Sequence, residues 1–215
     1  MVVQIKNVFL GILLACVVGH AQKEQRANDL LTSLIQYYKD FDDITVHFTY
    51  QEKLKNSVSI NSEITGSLTM KDSLFIVTIP GLEMRSDGIH VYTITPEIQE
   101  VYRSPISESE QIPFHLLNLL SYLQSHFETQ SDITEHRLNR KINYIKLTPL
   151  DTLDSIESIL LGMDPITNEL LTLVIESTDN IKTSMFFNHY VYNQGLSSDF
   201  FAFNPNKFSD YTIIE

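Results

Sequence analysis

Apolar and polar positions divide the chain into a helix, a run of strands, a second helix and a second run of strands. Residues 24–41 place Ala27, Leu30, Leu31, Leu34, Ile35, Tyr38 and Phe41 at helical spacing, predicting a helix with one apolar stripe. Glu24 and Asp29 near its start suit the positive end of the helix dipole. From Asp43 the period falls to two. Ile44, Val46, Phe48 and Tyr50 alternate with polar residues, as do Ile60, Ile64, Leu68 and Met70, which predicts half-buried antiparallel strands. Short strands follow at about 74–79, 83–87, 89–94 and 98–103, with Ser86-Asp87-Gly88 and Thr95-Pro96-Glu97 as turns. Pro113 then opens a second helix that runs to Leu123 and is apolar nearly all round. Such a helix is either a core element covered on both sides or itself a cover for an apolar surface. Strands return at about 135–139, 142–149, 156–163, 170–177, 182–192 and 200–204, with a hairpin loop at 164–168. This order predicts an α+β, mainly β fold: one curved antiparallel sheet with helices on its concave side.

Ahead of these elements stand a short basic start (Met1–Lys6), an apolar run (Val8–Val18) and the small-residue stop Gly19-His20-Ala21. This is the pattern of a secretory signal peptide over residues 1–21, leaving 22–215 as one exported domain. The run is shorter than the roughly 20 residues of a membrane span. Export places the protein in an envelope compartment, the periplasm, where function draws on binding energy alone. Cys16 is the only cysteine, and Leu13-Leu14-Ala15-Cys16 loosely resembles an acylation site. Val17 and Val18 continue the apolar run where an acylated protein has a polar tether, which favours cleavage after Ala21. Disulfides and thiol chemistry then drop out.

The net charge is −12, and loss of Lys6 with the leader makes it −13. Such a surface repels nucleic acid and anionic headgroups. Among chemical motifs there is no nucleophile elbow, phosphate loop, zinc-protease helix or paired-cysteine site. The seven histidines are scattered, and Glu135-His136, adjacent on a strand, point to opposite faces. Asp151, Asp154 and Glu157 crowd one loop without the glycine and oxygen spacing of a calcium loop. No catalytic residues, metal ligands or cofactor are therefore predicted. Abundant instead are strands apolar on both faces, such as Leu74-Phe75-Ile76-Val77, Leu170–Ile175 and Met185-Phe186-Phe187. The surplus implies a second covering layer or a cavity for an apolar ligand. Periodicity does not separate a filled core from an open one.

Several local patterns, in order, resemble the LolA family of periplasmic carriers of outer-membrane lipoproteins. They are Tyr37-Tyr38 with Phe41 and Val46-His47-Phe48, the glycine-led strand Gly66–Lys71, the hairpin Asp87-Gly88 with Tyr92, and Pro96 through Val101. The leucine-rich helix after Pro113, Leu147-Thr148-Pro149 and the ending Phe201-Ala202-Phe203-Asn204-Pro205 complete the set. The resemblance implies a half-open β-barrel covered by a helical lid, and a soluble, monomeric chaperone for acylated lipoproteins. It would be loaded by an inner-membrane ABC-type release complex and would unload to an outer-membrane acceptor. Three acyl chains hold about 40 CH₂ groups, so their exposure to water costs on the order of 30 kcal/mol. A carrier must cover them without strong polar anchors. The lipid-binding set implied is Leu116, Leu117, Leu119 and Leu120 on the lid, with Leu68, Met70, Ile145, Leu147, Leu171, Leu173, Met185 and Phe187 on the strands. Two departures stand out. Asp72 occupies the place of an arginine that latches the family's lid, and the family's turn glycine near Asp179 is missing, with Asn180 the nearest substitute. The alternatives are an outer-membrane acceptor of the same fold acylated at Cys16, and a β-rich interaction protein with a filled core.

Overall fold

The computed structural model describes residues 25–106, 116–137, 140–151 and 155–215. The predicted leader with Cys16, the Pro113 start of the second helix and Asp154 lie outside the described residues. The first apolar stripe forms helix α1 (residues 25–39), burying Ala27, Leu31, Leu34, Ile35 and Tyr38. Six strands follow: β1 (Ile44–Leu54), β2 (Ser62–Lys71), β3 (Leu74–Ile79), β4 (Leu82–Ser86), β5 (His90–Thr95) and β6 (Glu100–Pro105). Helix α2 (Leu116–His126) leads into β7 (Phe127–Arg137), β8 (Arg140–Pro149), β9 (Ile156–Met163), β10 (Leu170–Ser177) and β11 (Ile181–Tyr192). Helix α3 (Ser198–Phe201), a 3₁₀ turn (Pro205–Phe208) and β12 (Thr212–Ile214) follow.

All twelve strands form one sheet in the order β12-β6-β5-β4-β3-β2-β1-β11-β10-β9-β8-β7. The chain walks outward from β1 to β6, crosses through α2 to the far edge at β7, and walks back until β11 pairs with β1. Neighbouring strands are antiparallel except at β12, which lies parallel to β6. The result is the predicted curved antiparallel sheet with helices on its concave face, and the short turns follow from local chemistry. Asp72 takes φ 51° in the two-residue turn from Lys71 to Leu74, and Asn180 takes φ 69° between β10 and β11. Both are residue types that accept a left-handed backbone. Asp72 is therefore a turn residue.

Two predicted strands differ. β7 begins at Phe127, eight residues before the predicted 135, because the edge strand Phe-Glu-Thr-Gln-Ser-Asp carries too little apolar alternation to read as a strand. Residues 200–204 contain no strand. Phe201 is buried at the end of α3, and Phe203 stacks on Tyr92 with ring centroids 4.3 Å apart. The alternating aromatics there serve two separate contacts. Phe203, Phe208 and Tyr211 cover Tyr92, Ile94 and Val101, a small second core distinct from the main one.

Gly66 is required by packing. A Cβ there would meet Phe48 Cζ, Ile79 Cγ2 and the Thr78 carbonyl oxygen, each at 2.7 Å. Its absence lets the Phe48 ring lie across β2. Gly66→Ala is expected to destabilise the fold by about 1–3 kcal/mol through overpacking. The urea unfolding midpoint measures this, and the slope should stay unchanged.

Candidate ligand-binding site

Register defines the concave face. One row of cross-strand neighbours runs Ile145, Leu161, Leu173, Met185, Tyr50; another runs Leu147, Ile159, Ile175, Thr183. A third row runs Phe187, Phe48, Gly66 and then Ile79, and a fourth Tyr190, Val46, Leu68, Val77 and Met84. These side chains, with Ile44, Met70, Phe75, Met163 and Leu170, join the helices in one main apolar core.

Burial along this face is graded. On β1 the inward residues Ile44, Val46 and Phe48 are buried, Tyr50 and Glu52 half-buried, and Leu54 exposed. The same sequence appears on β11, from buried Phe187 to half-buried Met185 and Ile181. It recurs on β10 from Leu173 to Ile175, on β3 from Val77 to Ile79, and on β4 from Met84 back to Leu82. These half-buried positions lie toward one end of the strands, the end of the β1–β2, β3–β4 and β10–β11 turns, whereas the half-buried Tyr190 and Tyr192 at the other end are engaged by Tyr38 and Tyr37 of α1. The concave face is thus sealed at one end and opens at the other onto an apolar mouth of Tyr50, Ile79, Leu82, Ile175 and Met185. Polar pairs rim this end: Lys55 with Glu157, and Lys182 with Glu176 at 3.1 Å.

The structure brings eleven of the twelve predicted residues to this face. Leu68, Met70, Leu116, Leu120, Ile145, Leu147, Leu173 and Phe187 are buried in the main core, and Leu117, Leu119 and Met185 pack against it half-buried. Leu171 does not join them. The register of β10 against β9 shifts between Leu170 and Thr172, so Leu170 and Leu173 both reach the core and Leu171 falls at the irregularity. A bulge breaks the two-residue period that groups Leu171 with Leu173. The buried face of α2 is Leu116, Leu120 and Leu123, while Asn118, Ser121, Tyr122, Gln124 and Ser125 are exposed. The helix therefore has one wet face, and its excess leucines Leu117 and Leu119 flank the buried stripe. Sequence reasoning missed the mouth residues Tyr50, Ile79, Leu82 and Ile175. Their alternation was visible, but not their position at the open end.

The two helices on the concave face are held differently. Around α1 the Tyr38 hydroxyl donates to Tyr190 Oη at 3.0 Å, Tyr190 donates to the Leu170 carbonyl at 2.7 Å, and the Leu170 N–H donates to Tyr38 Oη at 2.8 Å. Beside this ring, Tyr37 donates to Tyr192 at 3.2 Å and Tyr192 donates to Glu169 at 3.1 Å. Phe41 stacks on Tyr192 with centroids 4.1 Å apart. α2 is tied to α1 by one exposed side-chain bond, Gln124 Nε2 to Thr32 Oγ1 at 3.0 Å. Its C-terminal end meets the sheet where the Leu150 N–H donates to the His126 carbonyl at 2.9 Å. α1 is fastened by a polar network; α2 is held chiefly by its leucines.

The site offers no set of converging catalytic groups among the described residues, and no group of three His, Cys, Asp or Glu side chains there could hold a metal. Glu157 of the predicted acidic loop is engaged by Lys55. No helix among the described residues is long and apolar enough to cross a membrane.

Solved structures share this architecture. An uncharacterized conserved protein from Thermus thermophilus matches with TM-score 0.57 and 9% identity, over 85% of this chain and 97% of that one. A DUF1329 family protein from Desulfovibrio piger matches with TM-score 0.52 and 10% identity, over 84% and 97%. A LolA superfamily protein from Nitrosomonas europaea matches with TM-score 0.42 and 11% identity, over 80% and 97%. At these identities the likeness is one of fold. No protein-family model matches the sequence, and no curated protein matches it. The shared fold is a long, open, curved antiparallel sheet with a few helices.

The tyrosine network has a consequence at high pH. Burial holds the Tyr38, Tyr190 and Tyr192 hydroxyls above the ordinary value of 10.0; neighbouring tyrosines and Glu169 add to the rise at Tyr190 and Tyr192, while at Tyr38 the bonds with Tyr190 and Leu170 oppose it in part. In the unfolded chain they ionise at that ordinary value. Their contribution to stability is therefore complete below about pH 10 and falls as pH rises above it. Urea unfolding between about pH 9 and about pH 11 should show this loss, and Tyr190→Phe should lessen it.

Proposed function

We propose that the protein is a periplasmic carrier that shelters the acyl chains of lipoproteins on its concave face, with α2 as the movable lid. The observation that carries this reading is the graded inner face, buried at one end and opening on an apolar mouth at the other. A closed structural core has no reason to leave Tyr50, Ile79, Leu82, Ile175 and Met185 half-exposed together at one end of the strands. The motifs resembling the LolA family support the same reading, and the curved sheet with helices on its concave face is the architecture that resemblance implies.

Magnitudes decide which element yields. Full burial of a leucine side chain is worth about 1.5–3 kcal/mol, so Leu116, Leu120 and Leu123 hold α2 with about 5–9 kcal/mol. One acyl chain of about fourteen CH₂ groups, leaving water at about 0.8 kcal/mol each, contributes about 11 kcal/mol. A single chain offsets the displacement of α2. Displacing α1 would in addition take Tyr38 away from the Leu170 N–H and the Tyr190 hydroxyl oxygen, at about 1–3 kcal/mol for each buried group left unpaired. α2 lifts and α1 stays. Cargo contacts are apolar and repackable, with Met185, Met70 and the lid leucines adapting to chains of different length. Asp72, a carboxylate in the place of the family's arginine, offers no guanidinium for a latch, and closure rests on the leucine stripe. Loading from an ABC-type release complex and delivery to an outer-membrane acceptor complete the cycle.

The test uses the exported protein and a fluorescent triacylated lipopeptide. Parent protein should bind it, and Leu117→Glu should bind at least tenfold more weakly while keeping its circular dichroism spectrum and thermal midpoint. Absence of binding by the parent would establish a filled core instead, and undiminished binding by Leu117→Glu would remove α2 from the lid role.

A further inference from the structure

On the convex side of the sheet, away from the apolar face, two histidines distant in sequence meet across β1 and β11. His47 of β1 pairs with Asn188, and the preceding Val46 pairs with Tyr190, so His189 is an extra residue bulged out of the ladder. Phe187 and Tyr190 on either side point inward, Phe187 buried and Tyr190 bonded to Tyr38. Asn188 and His189 are both exposed, as is His47. The bulge therefore turns two successive residues of β11 to the outer face beside His47.

His189 has φ 50°, left-handed backbone that side-chain-bearing residues seldom adopt. The other described non-glycine residues with positive φ are Asp72, Gln99, Asn168, Asn180 and Asn193, and all five lie in turns or just past a strand end. His189 alone among them sits inside a strand. Strain of this kind clusters at sites where a side chain is being aimed.

The two imidazole centroids are 5.4 Å apart with planes inclined at 45°. A metal bonded at about 2.1 Å to a ring nitrogen sits about 3.2 Å from that ring's centroid, so two rings on one tetrahedral ion have centroids about 5.2 Å apart. Adjacent positions of a square-planar ion would bring them to about 4.5 Å. The observed spacing fits the tetrahedral case. Neither ring has a hydrogen-bond partner among the described residues, which leaves the nitrogens available.

We infer that His47 and His189 form a binding site for a divalent transition metal of the zinc class, with the Asn188 amide oxygen as a candidate third donor. His47 and Asn188 also border an open groove of about 530 Å³, lined by Thr49, Thr65, Ser67 and Thr78 together with the apolar Phe48, Ile79 and Pro80. Its lining is uncharged, and the threonine and serine hydroxyls among it give water or a small oxygen donor partners as the outer ligand. With two imidazoles the site binds in the micromolar range rather than as a closed structural centre. Its location gives it a consequence. β1 and β11 are the pair that joins the outgoing and returning halves of the chain. A metal bridging them ties that seam from outside, and it does so whether or not the opposite face carries lipid.

The test is titration of the untagged, chelator-stripped protein with Zn²⁺ and with Co²⁺, using a chromophoric competitor for affinity and Co²⁺ visible absorption for geometry. One equivalent should bind with the intense bands of tetrahedral cobalt and raise the thermal midpoint. His47→Gln and His189→Asn should each weaken binding at least tenfold, the asparagine retaining the left-handed bulge. His126→Ala should change nothing. Failure to bind one equivalent, or binding that survives both His47→Gln and His189→Asn, overturns the proposal.

Discussion

The structure depends on covering one apolar surface. A twelve-strand sheet whose chain leaves β1 in one direction and returns to it from the other presents an apolar concave face, with β12 and β7 as its outer edges. Burial of that face is the main favourable term in the fold. The protein meets the requirement with its own helices, and the two do so unequally. α1 combines an apolar stripe with a ring of tyrosine hydroxyls, so it is fixed in place and orientation. α2 brings leucines and little else, and a surface covered only by interchangeable apolar contacts can be covered by something else.

That inequality connects the fold to the proposed function. A carrier of acyl chains needs an apolar surface that exchanges cover, and cover that detaches without unfolding the remainder. The topology supplies this, because α2 is the crossover between the two sheet edges rather than part of the hairpin succession. The strands beneath it are paired through β8, β9 and β10 independently of it. The graded burial along β1, β3, β4, β10 and β11 then provides an entrance at one end while the other stays closed.

Much of this was legible in the sequence. Period-two alternation at Ile44–Tyr50 and Ile60–Met70 located the central strands β1 and β2, and 3.6 spacing from Ala27 to Tyr38 located α1, because one face of each element must be buried. The polar edge strand β7 was legible only in its last residues, since a strand facing solvent has no such constraint. Leu171 was misgrouped because one inserted residue reverses the facing of everything after it, and no local pattern marks a bulge flanked by apolar residues on both sides. The ending 200–204 read as a strand because Phe201 and Phe203 alternate, although each serves a different contact.

The sequence by itself determined which residues are apolar enough to build the concave face, how they alternate, and that Asp72 and Asn180 are residues suited to left-handed turns. It determined these because secondary-structure period and turn chemistry act over a few residues. Tertiary structure alone decided which end of each strand is open, which helix is pinned by Tyr190 and Tyr192, and that His47 and His189 stand together. Those depend on pairing between strands about 140 residues apart and on one bulge, and cross-strand register is a property of the assembled sheet rather than of any segment.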